Sequence, residues 1–268
     1  MDIAEIRSKP HLSASSIGSY LDCGLLYRFS RDKDIQPDFI PDALVFGTVI
    51  HKALEFYHTQ RLGGLKPSCR DLINRFEELW TQAMKQSQNI KFKEGKDVQS
   101  LLLEGKSLLA AYAASYPETG LEVLALEEPF SLEIEGLPIP IIGIVDMIEQ
   151  DEAGTIIVVD HKTTAKAYSN DEIDKNLQLT LYWMGIKANG FSDREILLRF
   201  DCLIKTKSAK FEQYYTTRGD EDERRVTKKI LSVWDGIEKG VFVPNDGGWK
   251  CKGCLYRSHC DRWFLEKE

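Results

Sequence analysis

The stretch that decides the fold lies between Ile139 and Thr164 and contains Gly143-Ile144-Val145-Asp146 and Ile156-Ile157-Val158-Val159-Asp160-His161-Lys162. Both segments are rich in β-branched residues and a short polar turn separates them, so they predict two consecutive strands. Side chains alternate along a strand, which places Asp160 and Lys162 on one face, about 6–7 Å apart. If the two strands pair, Asp146 lies beside Asp160.

Two carboxylates at the end of apolar strands repel each other and lose hydration unless a cation lies between them. Mg²⁺ and Mn²⁺ prefer oxygen ligands of this kind. A lysine two residues further on can lower the pKa of a water molecule on the metal and orient it, which suits phosphodiester hydrolysis. The alternative is that Asp146 and Asp160 only terminate strands and that Lys162 is a solvated neighbour.

Hydrophobic periodicity predicts helices before these strands and a mixture of strands and helices around and after them. Ser13 is the expected N-cap of the first helix. The predicted helices cover residues 13–22, 43–61, 70–86, 97–115, 171–188 and 220–239. The predicted strands cover residues 121–134, 139–149, 155–160, 195–205 and 211–217. We expect the first three strands to form a meander.

This order of elements indicates an α/β fold with a central mixed β-sheet flanked by helices. No stretch has the composition of an interdomain linker and no internal repeat is present, so we expect a single domain over residues 1–268. Residues 1–120 would form a mainly helical part and residues 121–217 the sheet core. Residues 218–268 would form a helix and a Cys-rich C-terminal tail that closes on the N-terminal helix.

The composition excludes several classes of protein. The chain has 268 residues, 43% of them hydrophobic and 29% charged, which is typical of a globular protein with a buried core. Its net charge of −7 excludes a globally basic nucleic-acid coat but is compatible with a locally basic groove. No apolar run approaches the ~20 residues of a membrane span, and the acidic first residues lack the apolar stretch of a signal peptide. We therefore expect a cytoplasmic protein without membrane contact.

Two further pairs of residues have helical spacing. Gly47 and His51 lie four residues apart in one predicted helix, and Gln178 and Tyr182 lie four apart in another, so each pair shares a helix face. Taken alone, His51 would be an ordinary packed or surface histidine. Gln178 and Tyr182 alone would be a polar contact between helix and sheet. Their order along the chain is what makes them informative.

Gly-x-x-x-His on a helix, Asp on a strand, Asp-x-Lys on the next strand and Gln-x-x-x-Tyr on a later helix occur here in that order. In this combination the sequence resembles the RecB-like branch of the PD-(D/E)XK nuclease superfamily, over about residues 13–260. The resemblance implies a restriction-endonuclease-like core and a metal-dependent DNA nuclease with Mg²⁺ or Mn²⁺ as cofactor. It favours an exonuclease that hydrolyses single-stranded DNA or duplex ends.

The resemblance also implies roles for individual residues. The catalytic residues would be Lys162, Asp160, Asp146, Gln178 and Tyr182. The metal ligands would be His51, Asp146, Asp160 and the backbone carbonyl of His161. Lys162 would orient or activate the attacking water, whereas Gln178 and Tyr182 would support the site or contact the DNA backbone. Glu127 is a candidate for a further acidic member, but the adjacent Glu128 makes that assignment ambiguous.

Six cysteines are present, and in a reducing compartment clustered cysteines more often bind a metal than form disulfides. Cys251, Cys254 and Cys260 lie close together near the end of the chain, and Cys23 follows the first predicted helix. Four such thiolates suit tetrahedral Zn²⁺ or an iron–sulfur cluster, and spacing alone does not decide between them. His259 could replace one cysteine in a zinc site.

The resemblance bears on this choice. The AddB nuclease domain and the CRISPR-associated adaptation nucleases carry one cysteine before the nuclease motifs and three after them, around a 4Fe-4S cluster. It therefore implies a 4Fe-4S cluster on Cys23, Cys251, Cys254 and Cys260, with Zn²⁺ as the alternative. We favour a structural role that ties the two ends of the chain together, and a redox-sensing role stays open. Cys69 and Cys202 are interpreted as ordinary structural residues.

DNA is the expected partner. Three groups of side chains are candidates for contacts to phosphates or unpaired bases, and a solvated surface is the alternative for each of them. The groups are Lys205, Lys207 and Lys210; Arg224, Arg225, Lys228 and Lys229; and Tyr20, Tyr27, Arg28 and Arg31.

Two other functions compete with an active nuclease. A catalytically silent DNA-binding or scaffold module of a recombination or CRISPR adaptation complex could use the same fold, but such relatives usually lose the Asp or the Lys. A zinc-stabilised protein-interaction module would leave the strand-end carboxylates unexplained. The chain lacks the Gly-x-x-x-x-Gly-Lys-Ser/Thr motif of an ATP motor, so a helicase or an integrase would be a separate partner. The oligomeric state stays open.

Overall fold

The computed structural model describes residues 3–116 and 120–265, so both ends of the expected domain, at residues 1 and 268, lie outside the described residues. The helices are α1 (Ile3–Ser8), α2 (Ala14–Asp22), α3 (Gly24–Arg31), α4 (Asp42–Leu62), α5 (Cys69–Gln86), α6 (Val98–Ser115), α7 (Asn170–Asp174), α8 (Leu177–Ile186), α9 (Asp220–Glu238) and α10 (Arg257–Leu265). A π-helical turn (Lys187–Phe191) follows α8, and a 3-10 turn (Trp249–Gly253) precedes α10. None of the described helices is long and apolar enough to cross a lipid bilayer.

The strands form one five-stranded sheet and one very short pair. They are β1 (Ile40–Pro41), β2 (Ile90–Lys91), β3 (Leu121–Leu132), β4 (Ile141–Asp151), β5 (Ile156–Thr164), β6 (Ile196–Ile204) and β7 (Lys210–Thr216). The large sheet has the order β3-β4-β5-β6-β7. In it, β5 and β6 run parallel, and every other pair of neighbouring strands is antiparallel. The expected α/β fold, with a mixed sheet that starts as a meander, is confirmed.

The sheet separates two hydrophobic cores. On one face, α4, α5 and α6 enclose a core that includes Phe46, Trp80 and Tyr112, each at most 1% exposed. On the other face, α2, α8 and α9 enclose a core that includes Ile17 and Phe130. Because helices cover both faces, β5 and β6 are buried on both sides, and most of their buried residues are apolar.

Side-chain caps define where several helices begin. Ser13, Ser68 and Asp97 each accept a hydrogen bond from the backbone N–H three residues on, and the side chain of that residue bonds back to the cap backbone. Each reciprocal pair satisfies amide groups that the first helical turn leaves without partners. The N-cap expected at Ser13 is confirmed, and the four helices expected before the sheet are present.

The prediction of a single helix over residues 171–188 is wrong, because the chain forms the two helices α7 and α8 there. The side chain of Asn176 accepts a hydrogen bond from the Leu179 N–H at 3.1 Å and so caps a new helix. Asparagine favours this cap over a helix interior, which explains the break. As a result, Gln178 lies in the first turn of α8.

The strand expected to end at residue 160 continues to Thr164. Its parallel pairing with β6 includes Asp160, His161 and Lys162, so the whole Asp-x-Lys segment lies in the ordered sheet. Local sequence patterns did not predict α1, α3, α10 or the short parallel pair of β1 and β2. Of these elements, α3 packs against the C-terminal segment, where Leu25 and Phe29 contact Tyr256.

Two glycines let α8 pack closely against the sheet. A Cβ atom on Gly143 would lie 2.5 Å from the ring of Phe130, and one on Gly185 would lie 2.3 Å from it. Phe130 is 1% exposed and therefore has no open space to move into. This packing holds α8 close to the sheet.

We expect Gly185→Ala to lower the free energy of unfolding by about 1–3 kcal/mol, because the added methyl group overlaps the buried Phe130 ring. The matched control is Gly18→Ala in α2, where a Cβ atom would meet nothing within 4 Å. It should raise stability by about 0.5–1 kcal/mol, since alanine favours helix. Urea denaturation measures both changes, and a Gly185→Ala variant as stable as wild type would contradict this packing.

Candidate active site

The strands that carry the two predicted aspartates separate at those aspartates. The pairing of β4 with β5 ends at Met147 and Val159, one position before Asp146 and Asp160 would face each other. In place of a ladder bond, the His161 N–H donates to Asp146 Oδ2 at 2.7 Å. This bond fixes the Asp146 carboxylate at the point where the strands diverge.

A break in side-chain alternation directs Asp146 out of both cores. Val145 packs in the core beside α8, whereas Met147 packs in the core beside α4, although residues two apart in a regular strand face the same side. On the neighbouring strand, Glu127 has a left-handed backbone with φ 48°, a conformation that costs free energy in a residue other than glycine. Glu127 and Asp146 line the same cavity as a result.

This cavity, here called the α4 cavity, has a volume of about 440 Å³. Gly47, His51 and Glu55, spaced by four residues, present one face of α4 to it. His51, predicted to be a metal ligand, has its Nδ1 3.3 Å from Asp146 Oδ2. Sequence reasoning missed Glu55, which its four-residue spacing from His51 could have revealed. Of the two adjacent glutamates of β3, Glu127 lines this cavity, whereas Glu128 is exposed.

A closed ring of polar contacts joins Lys162, Gln178, Tyr182 and Asp160. Lys162 Nζ forms an ion pair with Asp160 Oδ2 at 2.6 Å and donates a hydrogen bond to Gln178 Oε1 at 2.8 Å. Gln178 Nε2 donates to Tyr182 Oη at 2.7 Å, and Tyr182 Oη donates to Asp160 Oδ1 at 3.3 Å. The shared helix face of Gln178 and Tyr182 thus brings two polar groups of α8 to the Asp160–Lys162 pair.

Burial makes negative charge costly at this site. It raises the pKa of Asp160, which is 1% exposed. It also raises the pKa of Glu127 to about 7, and the charges of Asp146 and Glu55 add to that shift. Crowded carboxylates of this kind are stabilised by a cation that neutralises them.

Neighbouring groups reverse the effect of burial on the other members of the site. Burial would raise the pKa of Asp146, but hydrogen bonds from His161 and His51 outweigh it and hold that pKa below its usual range. Burial would lower the pKa of His51 and of Lys162, but the contacts of His51 with Asp146 and of Lys162 with Asp160 raise both above their ordinary values. Lys162 is therefore a stable ammonium group at neutral pH.

Within residues 3–116 and 120–265, no three His, Cys, Asp or Glu side chains are arranged as a ready-made metal-binding group. The contacts at the predicted site give a physical reason. Lys162 engages one oxygen of Asp160, and His51 lies beside Asp146, so cationic or polar side chains already contact the carboxylates. The donor set of Asp146, Asp160, Glu127 and His51 nevertheless has the chemistry that Mg²⁺ and Mn²⁺ prefer.

A buried ionic network lies in the same sheet, and sequence reasoning missed it. Arg199 on β6 is fully buried and lies 2.7 Å from both Glu149 Oε2 and Asp201 Oδ1. Gln213 donates to Asp201 at 3.1 Å, and Tyr116 donates to Glu149. The sequence does show Glu149 and Arg199 inside otherwise apolar strand segments. Because their charges are opposite, they could have indicated a buried ion pair between β4 and β6.

Histidine and tyrosine side chains connect this face of the sheet to α4 and α6. The His161 side chain is 4% exposed, and its ring stacks on that of His58 with centroids 6.1 Å apart. His58 Nε2 lies 2.6 Å from the hydroxyl of Tyr112. The side chain of His161 thus packs inside the protein, while its backbone N–H binds Asp146.

The four predicted ligand cysteines come together around one small cavity between α3 and the C-terminal segment. Cys23, Cys251, Cys254 and Cys260 all line it as free thiols. Backbone N–H groups donate to Cys23 Sγ at 3.4 and 3.5 Å, and burial raises the pKa of Cys254 and of Cys260. His259, the alternative zinc ligand, bonds the Gln36 carbonyl instead at 2.9 Å.

Several side chains that were candidates for DNA contacts have structural partners. Lys205 Nζ lies 4.3 Å from the ring centroid of Phe46. Tyr20 and Tyr27 pack against each other and against Phe242. The basic residues of α9 are exposed, on the side of that helix away from the core. Lys205, Tyr20 and Tyr27 therefore contribute to packing.

The family model of the PD-(D/E)XK nuclease superfamily matches residues 11–261. The chain belongs to this superfamily, which supports a nuclease that uses a divalent metal. The match covers the sheet, the helices on both of its faces and the cysteine cavity. No curated protein matches the sequence.

Among solved structures, a candidate exonuclease from Eubacterium rectale is similar to this chain. It is 12% identical, with a TM-score of 0.57, and the alignment covers 94% of this chain and 90% of that one. At this identity the similarity shows a shared fold. A second structure, SSO0001, is 13% identical over 92% of this chain and 94% of its own, with a TM-score of 0.35.

We expect Arg199→Met to lower the free energy of unfolding by about 3–5 kcal/mol at neutral pH, because Glu149 and Asp201 keep buried charges without their cation. Burial raises the pKa of Glu149. As the pH falls through that raised pKa, Glu149 takes up a proton and the destabilisation should shrink.

Chemical denaturation of wild type and variant at neutral and mildly acidic pH measures this difference. The control is Lys239→Met, which removes an exposed pair with Asp235 and should cause no measurable change. A destabilisation by Arg199→Met that is independent of pH, or no larger than that of the control, would contradict the role given to the buried network.

Proposed function

We propose that the protein is a metal-dependent DNA exonuclease of the RecB-like branch, a single domain that hydrolyses phosphodiester bonds in single-stranded DNA or at duplex ends. The proposal rests on the convergence of His51, Asp146, Asp160 and Lys162 at the point where β4 and β5 separate. Superfamily membership supports the nuclease chemistry. The fold shared with the candidate exonuclease agrees with the exonuclease mode.

Mg²⁺ or Mn²⁺ would be held by His51, Asp146, Asp160 and the backbone carbonyl of His161, and we add Glu127 from the α4 cavity. Burial, with the charges of Asp146 and Glu55, raises the pKa of Glu127 to about 7, and a bound cation would stabilise its ionised form, which favours this assignment. When bound, such an ion polarises the scissile phosphate and makes a bound water more acidic. Asp146 is already oriented for this role by its bond from the His161 N–H.

Lys162 would act as a cation and hydrogen-bond donor, not as a base. Asp160 raises its pKa, so its ammonium group stays protonated at neutral pH. Gln178 accepts from this ammonium group, and Tyr182 holds both Gln178 and Asp160. We infer that this ring keeps Lys162 directed at the attacking water or at a phosphate oxygen, where positive charge stabilises the transition state.

We also propose a structural 4Fe-4S cluster on Cys23, Cys251, Cys254 and Cys260, with Zn²⁺ as the alternative. Four free thiols around one small cavity are a suitable donor set, and N–H groups that point at Cys23 are typical of the hydrogen bonds around cluster sulfurs. The cluster would join α3 to the C-terminal segment. These cysteines lie outside the carboxylate site, so the role would be stability.

Lys162→Ala should lower the rate of Mn²⁺-dependent cleavage of single-stranded DNA by at least about 100-fold, because it removes a charge that stabilises the transition state. Lys85→Ala, at an exposed position near the end of α5, is the control and should cut at the wild-type rate. Cleavage of an end-labelled oligonucleotide, with EDTA in parallel, measures the effect.

Cleavage by Lys162→Ala at the wild-type rate would contradict the role of this lysine. Wild-type activity that persists in EDTA would contradict the metal requirement. A wild-type protein that binds DNA and never cuts it would support the silent scaffold instead.

Cys254→Ala should lose visible absorption and thermal stability together after anaerobic purification, because one of four cluster ligands is removed. The control Cys69→Ala changes an exposed cysteine of α5 and should keep both properties. Absorption spectroscopy, metal analysis and thermal unfolding measure the outcome. A colourless wild type with one bound zinc would establish Zn²⁺ in place of the cluster, and a variant that keeps colour and stability would remove Cys254 from the ligand set.

A further inference from the structure

A second cavity, of about 590 Å³, lies beside the candidate active site and has no assigned ligand. It is called the N-terminal cavity here. Gln178 and Tyr182 form part of its wall, and the same side chains bond to Lys162 and Asp160. The cavity therefore adjoins the two side chains that hold Lys162 and Asp160 in place. Its volume falls in the range of about 300–1,000 Å³ that is typical of ligand pockets.

The opposite wall is built from the start of the chain and is anchored to β4. The Leu12 N–H donates to the Pro140 carbonyl at 3.0 Å, and the Ile142 N–H donates to the Leu12 carbonyl at 2.9 Å. The Leu12 side chain is 1% exposed and packs in the core beside α8. These hydrogen bonds and this packing fix the neighbouring His11 and Ser13 at the cavity.

The polar groups of the cavity suit an anion. Arg7 of α1 and Arg31 of α3 line it, together with His11 and the hydroxyl-bearing residues Ser13 and Ser15 at the start of α2. No Asp or Glu is among the described residues that line it, although the whole chain carries a net charge of −7. Arginine is well suited to phosphate because its guanidinium donates two parallel hydrogen bonds.

The remaining wall is apolar. Pro129 and Phe130 of β3, Ile142 and Ile144 of β4, and Leu177 and Leu181 of α8 line it. A ligand that fills the cavity therefore has one charged part and one flat or apolar part. A nucleotide meets both conditions, since its phosphate is anionic and its base can rest on an apolar surface.

We propose that the N-terminal cavity binds a nucleotide adjacent to the scissile phosphate in an unpaired DNA strand. The phosphate of that nucleotide lies towards Arg7 and Arg31, and its base lies on the apolar wall. The cavity has the volume of a ligand pocket, which accommodates a short piece of one strand and not a duplex. This inference rests on the proposed nuclease function, because the scissile phosphate is defined by it.

The first test removes the charge. The double variant Arg7→Ala/Arg31→Ala should bind a fluorescent single-stranded oligonucleotide at least roughly tenfold more weakly in EDTA, where nothing is cut. The slope of log affinity against log salt should become shallower by about 0.7 for each phosphate that the variant no longer neutralises. The control Arg70→Ala, an exposed arginine of α5 on the other face of the sheet, should leave affinity and slope unchanged.

The second test fills the cavity without changing its charge. Gly18 lines the cavity, and a Cβ atom there meets nothing within 4 Å. The Gly18→Trp variant should therefore fold, with the indole side chain projecting into the cavity. It should weaken binding of the single strand while its melting temperature stays near that of wild type, whereas Gly18→Ala should bind normally. Affinity for a blunt duplex should change in neither variant.

Wild-type affinity and salt slope in both the double variant and Gly18→Trp would overturn this inference, as would an equal weakening of binding to single strand and blunt duplex. These outcomes differ from failure of the proposed function. A wild type that binds the strand through this cavity and cuts nothing with Mn²⁺ overturns the nuclease proposal alone. Normal cleavage together with normal binding by both variants overturns the cavity assignment alone.

Discussion

Asp146 and Asp160 are held at the point where two paired strands separate, and the need to stabilise this buried negative charge explains the surrounding structure. One carboxylate is fixed by the His161 N–H and by His51, and the other by Lys162 and Tyr182. Every one of these partners is a hydrogen-bond donor or a cation. Without them, burial would drive both aspartates to the protonated form.

The fold provides these partners from separate elements. The α4 helix approaches one face of the sheet and brings His51, and α8 approaches the other face and brings Gln178 and Tyr182. The close packing of α8 depends on Phe130 against Gly143 and Gly185, so residues remote from the chemistry determine where the polar ring lies. A small change in that packing would move Gln178 relative to Lys162.

Much of this arrangement was predictable from the sequence, for physical reasons. The apolar runs around Asp146 and Asp160 allow only strands, and the spacing of Gln178 and Tyr182 allows only one shared helix face. The order of helices and strands along the chain, and a mixed sheet flanked by helices, also followed from these periodic patterns. The helix break at Asn176 was missed because the sequence alone does not show whether an asparagine caps a helix or lies inside one. That depends on the tertiary structure.

The rest depends on contacts between residues far apart in the chain. Arg199 and Glu149 are single charges in separate strands, and only the sheet order shows that they pair. The choice of Glu127 over Glu128 is set by a local backbone distortion at φ 48°, which no periodic pattern encodes. One wall of the N-terminal cavity is likewise placed by hydrogen bonds between Leu12 and residues Pro140 and Ile142, far away in the chain. The polar residues of the candidate site were therefore predictable from the sequence. The buried ionic network around Arg199 and the N-terminal cavity were not.

We propose that these carboxylates hold a divalent cation, and calorimetric titration with Mn²⁺ measures that binding. We expect one Mn²⁺ ion per chain, and a much lower affinity for it in the Asp146→Asn variant. We also expect proton release near neutral pH, because Glu127, with its pKa of about 7, must ionise on binding. Glu127→Gln should reduce the proton release and leave the part that comes from His51, whose pKa is also raised, whereas Glu128→Gln, at the exposed neighbouring position, should not change it. Equal Mn²⁺ affinity in wild type and in the Asp146→Asn variant would show that the Asp146 carboxylate does not hold the ion.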